Sequence, residues 1–531
     1  MEYRVLNTEG YREIMAEYHT GSLMAKVVSS FNYSPEELAS FFHEKEYGVY
    51  RHESMEAIRQ IFMDARENNR KIFIYGDYDC DGICATTIMV KVLNELGIEN
   101  GYYIPNRARE NYGLNCERVQ QAYDRGYQIV MTVDNGVSAH EALELAGSLN
   151  MTRIVTDHHI ITRTPECEVL CHPSLFDEDY RYLCGAGVAY LIADYLGVAD
   201  DGIKALAMLA TISDVMELKF FNVWLVKQGL QVVNDHKYPN IDILGADMKF
   251  PVTEREISFN IAPKVNTTGR LFDMCNANNT VRYFLSNDIN EMRVLARQIN
   301  RLNEKRKELV NEQYQMIVND CDMSQPFIIY CNEALHEGLI GLIANKLLYE
   351  TNKPTIILTG SNGLLKGSGR SKSALNLMEL LSGYNYYETF GGHAKAFGIS
   401  LKKENLEEFR NYILERYEPE PSETECVEVL SSDFSRGNLE ELFSHAPFGQ
   451  GRRMPLFKVI LDDLIDYRSL GSPYKLKWQI NNVFSIMRLN DVYGYSCYYG
   501  KENLAFYGNL SQGTFNRRIT YTLWCDNIEI I

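Results

Sequence analysis

The chain lacks a positive balance: among its 531 residues, 53 lysines and arginines stand against 71 aspartates and glutamates, a formal charge of -18. Long-range attraction scales with net charge, so the sequence excludes a protein that coats nucleic acid or an anionic membrane by bulk charge; contact with a polyanion needs a local patch. No run approaches the roughly 18 apolar residues of a spanning helix. The opening MEYRVLNTEGYR has neither the basic stretch nor the apolar core of a secretory leader. A soluble, cytoplasmic protein without a membrane partner is expected. The twelve cysteines include no C-x2-C pair, and C-x3-C occurs only at Cys80/Cys84 and Cys167/Cys171. That usage suits a reducing compartment better than a disulfide framework, and both pairs read as small apolar side chains in a core rather than zinc ligands.

What is present suffices for three or four domains, with 45% hydrophobic residues to bury. Residues 1–70 read as a polar, mostly helical lead-in, where FNYSPEELASFF starts a helix with Ser34 as N-cap, Pro35 first and Glu37 completing the box. Residues 71–285 read as one domain, α/β in pattern to about Pro173 and mostly helical from 174 on. Strands are expected at residues 72–75, 102–104, 129–133, 154–156 and 169–171, and helices at 86–96, 116–125 and 139–149, the last capped by Ser138. Such alternation implies a parallel sheet covered by helices. Residues 286–320 read as the connection between two domains, a long helix from Asp288 to about Asn319 with Asp288 and Glu291 as its start signal and Met292, Leu295, Ile299, Leu302, Leu309 and Met316 at three-four spacing. Its other faces carry Arg293, Arg297, Arg301, Lys305, Arg306 and Lys307, ordinarily solvated surface but a candidate phosphate track beside a nucleic-acid channel.

Residues 321–417 form a second, smaller α/β unit. The glycines of LLKGSGRS and TFGGHAKAFGISL read there as turns whose backbone N–H groups approach phosphate, with Arg370 and His393 as donors. EPEPSETE (residues 418–425) reads as an acidic linker. Residues 426–531 alternate and are rich in aromatics, which suggests a small β-barrel in which Tyr495, Tyr498, Tyr499, Phe506 and Tyr507 either stack bases or fill the core.

The chemistry concentrates in KIFIYGDYDCDGIC (residues 71–84), where an apolar run ends in Gly76 and carboxylates follow at Asp77, Asp79 and Asp81. Two carboxylates about 5 Å apart repel by roughly 3 kcal/mol at an effective dielectric near 20, so a divalent cation between them is a natural candidate. Asp81 reads as the residue that shapes the turn and caps the next helix. Asp134 follows the strand IVMTV, and Asp157-His158-His159 follow RIVT. Ligands of open parallel sheets bind outside the carboxyl ends of the strands, so three segments deliver acids and imidazoles to one edge. Asp214 ends the apolar helix ALAMLATI, a place the helix dipole disfavours for an acid unless a cation faces it.

DYDCDG, VDNG and VTDHH in this order resemble the DHH phosphoesterase superfamily. PNRARENYGLN, CGAGVAYLIA, ATISDVMEL and APKVNTTGRL narrow the resemblance to RecJ-type single-stranded-DNA exonucleases. It implies an α/β fold in which a parallel-sheet DHH domain is joined by a long helix to a smaller DHHA1-like α/β domain, with an OB-like β-barrel after them. It implies two metal ions, manganese with magnesium as the alternative. Asp77 and Asp134 would hold one ion, and Asp79, Asp134, His158 and Asp214 the other; His159 would face the scissile phosphate and Asp157 would orient a histidine. Arg107 or Arg109, Arg270, Ser368, Arg370, His393, Gly391 and Gly392 would hold the strand. Single-stranded DNA would be the partner, with a single-strand-binding protein or a helicase beside it. The sequence departs from many relatives at Tyr75, where a histidine is common, and at Lys264, where arginine is usual.

Three functions fit these residues: a 5'-to-3' exonuclease releasing 5'-mononucleotides in DNA repair and recombination, a phosphodiesterase of cyclic dinucleotides or short oligonucleotides, and a nuclease-silent replication scaffold. The barrel and the basic helix favour the first. The full set of aspartates and both histidines speaks against the third.

Overall fold

The computed structural model describes residues 2–107, 110, 113–361, 363–372, 377–393, 395–419, 423–501, 503–515 and 518–531. The chain divides into two compact units, one of residues 48–216 and 225–422, the other of residues 1–47, 217–224 and 423–531.

In the larger unit, β1 (Ile72–Tyr75), β2 (Asn100–Tyr103), β3 (Ile129–Val133), β4 (Thr152–Thr156) and β5 (Val169–Cys171) form a parallel sheet in the order β2-β1-β3-β4-β5. Every residue of β1 and β3 is buried, as expected of strands covered on both faces, which read as continuous apolar runs. The chain leaves β1 to one side for β2 and returns on the other side at β3. The sheet therefore has a topological switch point between β1 and β3, where a crevice opens beyond the strand ends.

One sheet face packs Phe73, Tyr75, Val130 and Val155 against Val119, Ala142, Leu143 and Ala146 of the helices Cys116–Asp124 and His140–Ser148. The latter helix is entered from Ala139 without a side-chain cap, so Ser138 does not cap it; the Asp157 carboxylate instead holds the Val137 N–H at 3.0 Å and fixes the entry. The other face carries α1 (Cys80–Glu95), packed with α2 (Gly185–Tyr195) and α3 (Asp201–Ser213). Helix α1 starts six residues before the expected Thr86, because Asp79 caps it by accepting from the Gly82 N–H at 3.1 Å. Asp81 and Gly82, both poor helix formers, disguise that first turn in the sequence.

Next come α4 (Ala262–Arg270) and the long α5 (Ile289–Asp320), whose 32 residues span about 48 Å. As expected, Asp288 caps α5, accepting from the Asn290 N–H at 2.8 Å. Its buried stripe is Met292, Ala296, Ile299, Asn303, Tyr314 and Ile317; Met316 is exposed instead, since a straight helix drifts away from a strict seven-residue repeat. Arg293, Arg297 and Arg301 are also exposed and share their side of the helix with Glu304 and Glu308, a mixed-charge, solvated face rather than a purely basic track.

A second sheet holds β6 (Ile328–Cys331), β7 (Thr355–Ser361), β8 (Leu364–Arg370), β9 (Tyr387–His393) and β10 (Ala396–Leu401) in the order β9-β10-β8-β7-β6, with α6 (Ile340–Thr351) against it. The glycines expected in phosphate-binding turns lie in strands. Gly367 and Gly369 pair on both sides within β8. Added methyls there would lie 2.7 Å from Ile399 Cγ1 and 2.1 Å from Phe397 Cζ, so these glycines make room for β10 side chains. Gly391 and Gly392 lie on the edge strand β9.

The smaller unit is built on an eight-stranded sheet in the order Glu2–Val5, Glu423–Leu430, Leu456–Ile460, Leu504–Phe515, Arg518–Ile530, Phe484–Arg488, Leu476–Gln479, Asp466–Ser469. The strand-rich C-terminal region is thus present, and it recruits an N-terminal strand that pairs in parallel with Glu423–Leu430. Four residues are too few to show a period, so residues 1–70 read as helical. Trp478, Phe434, Phe457, Phe484 and Phe506 fill its core together with Leu23, Met24, Val27, Val28 and Phe41. Tyr498, Phe506 and Tyr507 are buried, whereas Tyr499 is exposed and Tyr495 stacks on Tyr467 with centroids 4.6 Å apart. The Ser34/Glu37 capping box forms as expected. All twelve cysteines are free thiols, and among the described residues no helix is long and apolar enough to cross a membrane.

Replacing Gly369 by alanine drives a methyl into the Phe397 ring. Overpacking of this kind costs about 1–3 kcal/mol, so the variant's thermal midpoint should fall by a few degrees; an unchanged midpoint would contradict the packing described.

Candidate metal centre

The turn after β1 folds back onto the start of α1, and glycine is required at both contacts. An added methyl would sit 2.0 Å from Thr86 Oγ1 at Gly76 and 2.5 Å from the Asp77 backbone nitrogen at Gly82. Asp77 and Asp79 are thereby delivered to the switch point. Asp134, directly after β3, adopts a left-handed backbone with φ +59°, a conformation that is costly for a residue with a Cβ and that concentrates at functional sites. The neighbouring Asn135 side chain holds this corner by donating to the carbonyls of Tyr75 at 3.1 Å and Val133 at 2.9 Å. Gly185 at the start of α2 lets the helix approach, since a methyl there would lie 2.5 Å from Asp134 Cβ.

After β4 the Asp157 carboxylate accepts from the N–H groups of His158 at 2.7 Å and His159 at 3.1 Å, and meets His159 Nδ1 at 2.8 Å. His158 Nε2 lies 3.1 Å from Asp134 Oδ1 and 3.7 Å from both Asp81 Oδ2 and Asp214 Oδ2. Ligand atoms of three groups lie within 4.8 Å of one another: Asp77/Asp79/Asp134, Asp134/His158/His159 and Asp81/His158/Asp214. The structure thus brings the five expected ligands Asp77, Asp79, Asp134, His158 and Asp214 together, with His159 and Asp157 beside them.

Burial and the facing carboxylates push Asp77 up to about 8, raise Asp79 from its ordinary value and raise Asp134 and Asp214 well above theirs. Burial lowers His158. His159 goes the other way: against burial, its hydrogen bond with Asp157 raises it to about 9. Asp157 lies below its ordinary range although burial alone would raise it, because His159 and the surrounding N–H groups favour its charge. Asp77 Oδ1 is buried without a hydrogen-bond partner. Buried, mutually repelling carboxylate oxygens with an imidazole among them suit a divalent cation such as manganese or magnesium.

Asp81 corrects an expectation. Asp79 caps α1, whereas both Asp81 oxygens accept from the N-terminus of α2, from Gly185 N–H at 2.6 Å and Ala186 N–H at 2.7 Å, where the helix dipole favours negative charge. Sequence reasoning missed Asn266 on α4, which accepts from the Cys80 N–H at 2.9 Å and donates to Ser213 Oγ at 3.0 Å, joining the Asp79 turn to the end of α3. An asparagine inside a helix, where it is disfavoured, was the available signal. Tyr75 is fully buried in the apolar cluster with Phe73 and Val130. Lys264 donates to the Leu244 carbonyl at 2.8 Å and to Asp247 at 2.9 Å, a structural tie.

Positive charge gathers next to the acids. Arg107 lies over the Tyr78 ring, 5.0 Å from its centroid. Arg270 ends α4; burial first, then Arg107, Arg370 and Arg306, push it down to about 9. Arg370 ends β8 and donates to Ser368 Oγ at 2.9 Å and the Gly369 carbonyl at 2.7 Å. Arg107, Arg270, Ser368 and Arg370 are therefore brought together. Gly391 and Gly392 are exposed on β9, and Arg109 and the His393 side chain lie outside the described residues.

The sequence matches the family model of the DHH N-terminal domain over residues 71–218 and that of the DHHA1 domain over residues 324–418. It is 30% identical to the single-stranded-DNA-specific exonuclease RecJ of Dickeya dadantii, across 76% of this chain and 77% of that protein. It is 28% identical to RecJ of Bacillus subtilis across 87% of this chain but 61% of the relative, so the chain spans under two thirds of that protein. A crystal structure of RecJ from Thermus thermophilus with Mn2+ superposes with a TM-score of 0.82 at 24% identity, covering 99% of this chain and 79% of that one. An exonuclease RecJ bound to manganese superposes with a TM-score of 0.61 at 28% identity, over 70% and 97% of the two chains.

Manganese should raise the thermal midpoint of the chelator-treated protein. In Asp134→Asn, whose side chain tolerates the left-handed backbone, the metal-free midpoint should equal or exceed that of the unmodified protein, because one buried charge is gone, and most of the manganese shift should vanish. A full manganese shift in that variant would refute Asp134 as a ligand.

Proposed function

The chain belongs to the RecJ family of DHH phosphoesterases, and from that premise we propose that it is a metal-dependent exonuclease that degrades single-stranded DNA from the 5' end and releases 5'-mononucleotides. The observation that carries this reading is the convergence of Asp77, Asp79, Asp134, His158 and Asp214 at the switch point, beside Arg107, Arg270 and Arg370, which have no ion-pair partner among the described residues. Acids to hold cations and guanidiniums to hold phosphates lie side by side.

Asp77 and Asp134 would hold one ion, and Asp79, Asp134, His158 and Asp214 a second, with Asp134 shared. Manganese is the preferred ion and magnesium the alternative. When bound, a pair of such cations supplies a nucleophile from water near neutral pH and neutralises charge on the attacking and leaving oxygens of an in-line displacement. The remaining work falls to side chains. Arg107, Arg270 and Arg370 hold phosphate oxygens by charge-assisted hydrogen bonds, and Ser368 joins Arg370. Asp157 favours the protonated form of His159; with Nδ1 engaged by that carboxylate, donation to the scissile phosphate would go through Nε2. Asp81 and Asn266 fix the two helices that carry the acids. Repair and recombination are the processes in which such a nuclease acts, with a single-strand-binding protein or a helicase as its partner.

A long single strand labelled at either end tests the assignment with manganese present. The 5' label should appear at once as a mononucleotide while the 3'-labelled strand shortens stepwise; release from the 3' end first, or hydrolysis of cyclic dinucleotides alone, would overturn it. Asp134→Ala should abolish turnover, and activity within about tenfold of the unmodified protein would show that no shared ligand had been lost.

A further inference from the structure

Lys305 and Lys307 on α5 are paired on the outer side of the helix, with Glu308 at 3.4 Å and Glu304 at 2.8 Å. Arg306 between them is turned inward. It is half-buried, its Nε is sealed from solvent without a hydrogen-bond partner, and no ion pair holds it among the described residues. What it faces follows from the packing of α4 on α5. Thr267 Oγ1 lies 3.3 Å from Asn303 Oδ1, and Leu271 belongs to the apolar cluster of Tyr314 and Ile317 against which Leu309 and Val310 pack; the two helices therefore run the same way here, and Arg270 and Arg306, each three residues beyond the first pair, fall side by side. Arg306 is accordingly one of the three arginines that bear on Arg270. The second sheet's domain reaches the same place: a methyl on Gly338 would lie 2.0 Å from the Arg270 carbonyl oxygen.

A guanidinium taken partly out of water without an anion is unfavourable, and α5 had solvated positions on its outer face for a basic residue of merely helical use. An entering anion restores what the side chain lacks. We propose that Arg306 is a phosphate-binding residue of the substrate channel, which grips, together with Arg270, a phosphate of the strand lying next to the acidic cleft. The inference rests on the phosphodiesterase reading of that cleft and adds a contact from the helix joining the two domains. The planar fork of arginine suits a non-bridging pair of phosphate oxygens, and lysine in its place offers a point charge only.

The test uses the full chain and three forms: unmodified, Arg306→Gln and Arg306→Lys. Without divalent metal, dTMP should raise the thermal midpoint of the unmodified protein while thymidine does not. Arg306→Gln should melt at or above the unmodified protein without ligand and show a clearly smaller dTMP shift. With manganese and a 5'-phosphorylated single strand, kcat/KM of Arg306→Gln should fall about ten- to hundredfold, through KM, the scale of a lost charge-assisted bond, and Arg306→Lys should recover part of it. A lower midpoint with an undiminished dTMP shift would make Arg306 a structural residue and overturn the proposal, as would an unchanged KM. If the unmodified protein released no nucleotide at all, the exonuclease reading would fail, and the dTMP shift alone would decide the role of Arg306.

Discussion

Five carboxylates crowded at one end of a parallel sheet are the constraint on which the rest of the structure depends. Asp77, Asp79, Asp81, Asp134 and Asp214 come from the turns after two strands, β1 and β3, and from one helix end, and burial raises the cost of charging most of them. Among the described residues, Asp81 alone of the five has both oxygens satisfied, by the positive end of α2. The others face one another and two histidines, an arrangement that is unfavourable for a bare protein and favourable around cations. The same low-dielectric setting that makes the acids repel makes their hold on divalent ions strong.

The scaffold serves that crowding. The sheet reverses its strand order between β1 and β3, so the two neighbouring strand ends that carry Asp77, Asp79 and Asp134 open into a crevice rather than under a helix. Gly76, Gly82 and Gly185 allow backbone and carboxylates to approach more closely than any Cβ would permit. Arginines then arrive from the turn after β2, from α4, from α5 and from β8. A chain with a net charge of -18 can thereby present a polyanion with a compact positive patch without carrying a basic surface.

Much of this was legible in the sequence because the signals were periodic or chemical. The strands β1, β3 and β5 and the helix α5 with its Asp288 cap stand within a residue of where apolar pattern and capping residues place them. The acids after three separate strands declared a shared edge before any geometry was known. What escaped had physical reasons. The first turn of α1 is written in Asp81 and Gly82, which contacts to α2 and to the Asp77 backbone require in spite of their low helix propensity. Gly367 and Gly369 look like a phosphate loop in sequence but are strand positions set by the bulk of Ile399 and Phe397. The partnership of residues 2–5 with residues 423–430 spans almost the whole chain, and four residues carry no readable period. Asn266 and Asp81 act across helices, through contacts no local window contains.

The central claim is that these acids exist to hold divalent cations against a phosphodiester. Anomalous diffraction at the manganese edge from crystals grown with manganese tests it most directly. The account predicts density between Asp77, Asp79 and Asp134, and between Asp134, His158 and Asp214, with Asp81 still bound to the start of α2. Well-ordered crystals without anomalous density at either place would contradict it.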